Sequence, residues 1–343
     1  MQTISIRTES GHSEVYLGEK IENLQKYIPE NKKVVVVTDS NIFSYYNSYF
    51  KNYPVITIGL GEKNKTFSTL EQIFDEFVRL EVDRSSFIVA IGGGIVCDVV
   101  GFAASTFMRG LKFGFVSTTL LSQVDASVGG KNGVNFRGYK NMIGVFAQPE
   151  FVICDVAMLK TLDRKEYISG FAEIIKSGAI RDYGLFEYLE KNAEKALALD
   201  EEVLEKIIHD SVAMKARVVQ NDEREKGERR VLNFGHTFAH SIEKNTGMLH
   251  GEAVAIGMVL ASKASVKMNL LSSQDALRIE KLIEKYQLPV KLAIDKTKVY
   301  DALLKDKKRE GDFINLVLLD KIGNAVVQKV SINDMEDIVN DLC

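Results

Sequence analysis

Apolar positions along the first half of the chain fall into short unbroken runs separated by helical periodicity. Val34 to Val37 closed by Thr38-Asp39, Val55 to Ile58 after Pro54, and Phe87 to Ile91 are β-branched or apolar throughout, as are Phe151 to Cys154. Such runs predict strands buried on both faces. Ser40-Asn41 after the first run is a candidate helix cap. Between residues 68 and 80, Leu70, Ile73, Phe74, Phe77 and Leu80 share one helical face, and a second helical pattern covers 95–107. The opening Met1 to Arg7 alternates like a strand. Strands alternating with helices predict a Rossmann-like α/β domain with a mainly parallel sheet.

Beyond residue 157 the texture changes to long amphipathic helices. The expected division is an α/β domain over 1–157 and a mostly α-helical domain over 158–343. Within the second, 251–263 is apolar with small residues and predicts a buried helix opening just after His250. Near the end, 313–319 and 325–330 read as strands joined by a turn at Ile322-Gly323-Asn324.

A length of 343 residues exceeds the usual limit of a single core, which agrees with two domains. Hydrophobic residues make up 45% and charged residues 27%, a balance typical of soluble globular proteins. The net charge of −3 is spread over interspersed acids and bases and carries no footprint for nucleic acid. The longest apolar stretch, 87–104, is broken by three glycines and Asp98, so no membrane span is expected. The first residues lack the apolar core of a signal peptide. Cys97, Cys154 and Cys343 are odd in number and far apart, which suits free thiols in a reducing cytoplasm.

The chain has five histidines, and three of them, His236, His240 and His250, fall within fifteen residues. His236 and His240 stand four apart and share a helical face. Imidazole is both the commonest metal ligand and the neutral-pH titrating group. The spacing alone admits a metal or acid–base site and equally a helix decorated with surface histidines. Gly92-Gly93-Gly94 follows a strand and opens a helix, which brings bare N–H groups to a helix N-terminus. That suits a phosphate, and equally a tight strand-to-helix turn.

Downstream, Asp125 leads into Gly129-Gly130-Lys131, with Arg137, Lys140 and Asn141 behind and Arg109 before. These cations amid glycines suit an anion site, against the alternative of a solvated basic loop. Glu173 and Lys176 lie three apart in an apolar helix, readable as an ion pair on a half-exposed face. The charged lead from Lys215 through Glu225 to Arg229 reads by default as a solvated run, and His209 as exposed.

Together these pieces resemble the 3-dehydroquinate synthases over most of the chain. Gly92-Gly93-Gly94 with Asp98, Thr118-Thr119-Leu120-Leu121 with Asp125, Gly129-Gly130-Lys131, Lys140-Asn141 and Ala172-Glu173 with Lys176 occur in the family's order. So do Asn233-Phe234-Gly235-His236-Thr237 with His240, His250-Gly251-Glu252 and Asp306-Lys307-Lys308.

The resemblance implies a nucleotide-binding domain, a helical metal domain and an active site in a cleft between them. It implies conversion of 3-deoxy-D-arabino-heptulosonate 7-phosphate to 3-dehydroquinate and phosphate in the shikimate pathway. The steps implied are transient oxidation by NAD, phosphate elimination, re-reduction, ring opening and aldol closure. Glu173, His236 and His250 would be ligands of a divalent metal, zinc most often and cobalt as an alternative. His240 would move protons rather than bind metal. NAD would lie along Gly92, Gly93, Gly94 and Asp98, with Asp39, Asn41, Glu62, Lys65, Thr118 and Thr119 at its two ends. Lys131, Asn141, Arg109 and one of Lys307 or Lys308 would hold the phosphate, with Arg109 reaching in from the second subunit of a homodimer. Lys215, Arg229 and Asn233 would address the carboxylate and keto region, and Asp125, Lys176 and Glu225 would complete the polar shell.

Ser117, Cys97 and Asp163 depart from the family's usual residues without removing a functional group. The rival readings are another sugar-phosphate cyclase, such as 2-deoxy-scyllo-inosose synthase, and a metal-dependent polyol dehydrogenase on the same architecture. Gly129-Gly130-Lys131 and Arg229 with Asn233 favour the dehydroquinate reading.

Overall fold

The structure is a computed structural model describing residues 1–291, 309–310 (backbone), 313–332 and 334. The chain forms two compact units, one of 1–163 with 204–224 and one of 164–203 with 225–343.

The first unit is built on seven strands. They are β1 (Gln2–Thr8), β2 (Gly11–Leu17), β3 (Val34–Asp39), β4 (Val55–Ile58), β5 (Phe87–Gly92), β6 (Lys112–Ser117) and, further along, β9 (Phe151–Cys154). Their order is β1-β2-β9-β6-β5-β3-β4, and every pairing except β1 with β2 is parallel. Val34 to Val37 and Phe87 to Ile91 are buried throughout, as expected for central strands covered on both faces. Helices α1 (Ser40–Tyr46), α2 (Phe67–Arg79) and α3 (Gly94–Thr106) follow β3, β4 and β5. On α2 the buried apolar residues are Leu70, Ile73 and Phe77, one face as the periodicity predicts.

One local expectation is corrected. The cap of α1 is Asp39, whose carboxylate accepts from the N–H groups of Asn41 and Ile42 at 2.9 and 3.0 Å, so Ser40 is already helical. The Gly129-Gly130-Lys131 segment is buried at its two glycines and exposed at the lysine. It leads into a hairpin of β7 (Lys131–Phe136) and β8 (Tyr139–Phe146), which puts Lys131, Lys140 and Asn141 on strands.

Parallel strands all run the same way, so their C-terminal ends share one edge. Asp39, Gly92-Gly93-Gly94 and Ser117-Thr118-Thr119 therefore collect there.

The second unit holds α4 (Arg164–Arg181) and α5 (Tyr183–Leu197), then the start of α6 (Glu201–Asn221), whose residues from Leu204 on group with the first unit. It continues with α7 (His236–Thr246), α8 (His250–Lys267) and α9 (Ser273–Lys285). A three-stranded antiparallel sheet of β10 (Arg309–Glu310), β11 (Phe313–Lys321) and β12 (Asn324–Ser331) packs on it. The sheet is tied to α8 by the Leu319 N–H donating to Ser265 Oγ at 3.0 Å. Helix α8 is buried along most of its length, because its small residues let neighbours approach on every side.

The closest approach is at Gly251. Its N–H donates to Ser169 Oγ of α4 at 3.0 Å, and a Cβ there would stand 1.9 Å from the Ser169 carbonyl oxygen.

The charged lead into the histidine segment is solvated at Arg217, Arg224, Lys226 and Glu228, but not throughout. Lys215, Glu223 and Arg229 are all buried. His209 is half-buried beside Asp210 rather than exposed. Among the described residues no helix is long and apolar enough to cross a membrane.

Candidate functional site

In the second unit, α4, α7 and α8 each bring one residue to a common point. Glu173 comes from the middle of α4, His236 is the first residue of α7 and His250 the first of α8. One ligand atom from each lies within 4.8 Å of the others. Glu173 Oε1 is 3.6 Å from His236 Nε2 and 3.4 Å from His250 Nε2. Ligands on a tetrahedral zinc, each about 2.0–2.2 Å from it, stand roughly 3.3–3.6 Å apart, so the spacing fits a small divalent cation. A second observation agrees. Both Glu173 carboxylate oxygens are buried, and their neighbours are the Lys176 ammonium and the two imidazoles rather than neutral donors. A carboxylate kept ionised in a protein interior by such neighbours suits a metal ligand.

The imidazoles are oriented from behind. His236 Nδ1 lies 3.3 Å from the Phe234 carbonyl oxygen, and His250 Nδ1 lies 2.6 Å from Glu243 Oε1. Each Nε2 is thereby directed at Glu173. Burial pushes the Glu173 carboxyl up, but Lys176 and His250 more than reverse this and hold it down at about 2. For His250 burial opposes the charge, and Glu173 and Glu243 outweigh it, raising the imidazole to about 9.

Lys176 contacts Glu173 directly, and both side chains are almost fully buried, so the half-exposed pair expected from sequence is corrected. His240 is exposed one turn along α7, its ring centroid 5.9 Å from that of His236, and it is outside the ligand cluster. Asn233 and Glu225 are in direct side-chain contact, and Arg229 is buried in the turn between them.

In the first unit, Gly93 precedes α3 with no side chain capping the helix. A Cβ on Gly93 would stand 2.9 Å from the Thr119 methyl group, and one on Gly94 2.8 Å from the Ala126 methyl. The uncapped amides thus sit in a cradle that side chains would fill. Thr118 Oγ1 is buried nearby with no hydrogen-bond partner. These features fit a phosphate-bearing dinucleotide.

Lys65 is buried in contact with Asp98, whose carboxyl is pushed up by burial against the opposing pull of that lysine. Asn135 connects the neighbours: it donates to Glu62 Oε1 at 2.7 Å and accepts from the Asn141 N–H at 2.9 Å. Residue type alone did not single out Asn135, since an asparagine in a strand carries no distinctive signal. Lys215 donates to both the carbonyl and the carboxylate of Asp125 at 2.6 Å, at a π-helical turn over Ser122–Ala126. Arg109 is exposed in a tight turn, with a positive φ of 71°. Lys307 and Lys308 lie outside the described residues.

Two family models match the chain. The 3-dehydroquinate synthase N-terminal model matches residues 55–169, and the C-terminal model matches 170–309. The chain is 45% identical over 294 residues to the 3-dehydroquinate synthase of Campylobacter concisus, which covers 84% of this chain and 83% of that protein. The chain belongs to the 3-dehydroquinate synthase family. Its fold is shared with wider sugar-phosphate cyclases. A structure of 2-deoxy-scyllo-inosose synthase complexed with carbaglucose-6-phosphate, NAD+ and Co2+ superposes with a TM-score of 0.89 at 28% identity, covering 99% of this chain and 100% of that one. The 2-epi-5-epi-valiolone synthase ValA from Streptomyces hygroscopicus, with NAD+ and Zn2+ bound, gives 0.87 at 26% identity, over 100% and 99% of the two chains. Identity to the Campylobacter dehydroquinate synthase exceeds identity to either cyclase.

Proposed function

We propose that the chain is a carbon–oxygen lyase that converts 3-deoxy-D-arabino-heptulosonate 7-phosphate to 3-dehydroquinate and phosphate, as the family name and motifs indicate. The observation that carries this reading is the Glu173, His236 and His250 cluster, built on a chain matched to the family in both halves. Glu173, His236 and His250 would hold a divalent metal, zinc or cobalt by likeness to the two cyclase structures. Gly92, Gly93, Gly94, Asp98, Lys65, Glu62, Asp39, Asn41, Thr118 and Thr119 would hold NAD. The two groups supply Lewis acidity at a substrate hydroxyl and a hydride acceptor that gives back what it takes.

The remaining work falls to side chains. Lys131 and Asn141 on the hairpin, with Arg109, would bind the substrate phosphate, and Lys307 or Lys308 would join them. Arg229, Lys215 and Asn233 would receive the carboxylate and keto region. Asp125 holds the Lys215 ammonium, and Glu225 holds Asn233. His240, exposed near His236, would move a proton at an imidazole nitrogen. Lys176 balances the charge of Glu173. Positioning and fixed charge supply most of the rate. We also assign a homodimer, with Arg109 serving the partner's site, and a cytoplasmic location that suits the buried free thiols of Cys97 and Cys154.

The test is turnover of purified, metal-loaded protein with the heptulosonate phosphate and a catalytic amount of NAD+. One phosphate should be released per dehydroquinate formed, without accumulation of NADH. Stoichiometric NADH would mark a polyol dehydrogenase. Turnover only of another sugar phosphate would mark a different cyclase.

A further inference from the structure

Glu243 lies two turns along α7 from His236, and its side chain is 3% exposed. None of the metal, nucleotide or substrate roles above uses it. A carboxylate so deeply buried costs free energy unless it meets charge or donors. Glu243 meets His250: its Oε1 is 2.6 Å from His250 Nδ1.

The two imidazoles of the cluster are held differently. His236 has its outer nitrogen against a backbone carbonyl fixed by the turn that ends at Asn233. His250 stands at the very start of α8, after Gly247-Met248-Leu249, where no preceding helical turn restrains its ring. Its outer nitrogen depends on a side chain from the neighbouring helix. A carboxylate that can only accept keeps the proton on Nδ1 and leaves the Nε2 lone pair facing Glu173.

We infer that Glu243 is a positioning residue that fixes the tautomer and ring orientation of His250 for metal binding. The inference rests on the metal reading above and adds a residue that reading does not contain.

The experiment compares Zn2+ and Co2+ binding by the full-length protein and its Glu243→Ala and Glu243→Gln variants, by competition with a chromophoric chelator and by the visible spectrum of the Co2+ form. The parent should take up one equivalent. Glu243→Ala should lower affinity by about 10–100-fold and alter the Co2+ spectrum, while circular dichroism of the metal-free protein stays unchanged. Glu243→Gln should lose at least about fivefold, because an amide can donate as well as accept and so no longer selects the tautomer. If Glu243→Ala does not fold, Glu243→Gln decides by the same criterion. A parent that binds no metal would overturn the metal reading and this inference with it. A parent that binds metal, with folded variants matching its affinity and Co2+ spectrum, would overturn the inference alone.

Discussion

Glu173 and Lys176 are in direct contact on one face of α4, with their side chains 2% and 3% exposed. Within a protein interior, removing one partner of such a pair strands the other charge. Lys176→Met should therefore destabilise the metal-free protein by about 3–5 kcal/mol. A divalent cation on Glu173 would supply the missing positive charge, so saturating Zn2+ should restore much of the loss. Denaturant unfolding with and without Zn2+ measures both; an equal loss in the two conditions would mean that the cation does not reach Glu173.

His240 shares a helical face with His236 but stands outside the ligand cluster. Its replacement by alanine should leave one bound metal and slow turnover by about 10²–10⁴-fold, the usual range for a lost proton-transfer group. His236→Ala and His250→Ala should instead lose the metal. Metal content by elemental analysis separates the classes, and equal loss in all three variants would make His240 a ligand.

Gly251 allows α8 to pass against α4 where any side chain would collide with the Ser169 backbone. Gly251→Ala must push the helices apart, at a cost of about 1–3 kcal/mol. Because His250 and Glu173 ride on these two helices, metal affinity should fall together with stability. Thermal melting and metal titration of the same variant check the pairing. Lost stability with intact affinity would show that the centre tolerates the shift.

Glu223 ties the end of α6 to the first hairpin and to the segment before β9. It accepts from the Ser10 N–H at 3.1 Å and from Gln148 Nε2 at 3.2 Å, and it contacts Ser10 Oγ. Burial raises its carboxyl, but the hydrogen bonds from Ser10, Thr8 and Gln148 prevail and hold it below its ordinary value of 4.5. A group whose folded pKa is depressed stabilises the fold above its unfolded pKa, and that stability is lost as pH falls through the folded value. Glu223→Gln should cost about 1.5–3 kcal/mol near neutrality and progressively less in acid below about pH 4. Urea unfolding at several pH values tests this, and a cost independent of pH would refute an ionic role.

Much of this protein is legible along the chain because its signals are local. Central strands such as Val34–Asp39 and Phe87–Gly92 need unbroken apolar runs, and α2 needs a 3.6-residue period. Gly92-Gly93-Gly94 marks its turn because a Cβ at any of the three would crowd the Val96, Thr119 or Ala126 side chain. The order of the motifs along the chain likewise points to the family.

What residue order conceals is which charges are taken out of water. Lys215, Glu223 and Arg229 look solvated in their own neighbourhood, yet all are buried in the fold. For Lys215 the compensating carboxylate is Asp125, and for Glu223 the donors come from Ser10 and Gln148, all far away in sequence. The hairpin after Gly130 was hidden because the second strand is mostly exposed and is specified by pairing with the first, not by an apolar rhythm of its own. The histidines show the same division. Their crowding between 236 and 250 is a property of the chain, and their helical spacing draws attention to His236 with His240. Only the packing of α4, α7 and α8 brings Glu173 to His236 and His250 and sets Glu243 behind the latter. A metal centre is a coincidence of side chains from separate elements, and helix packing, not sequence spacing, brings them together.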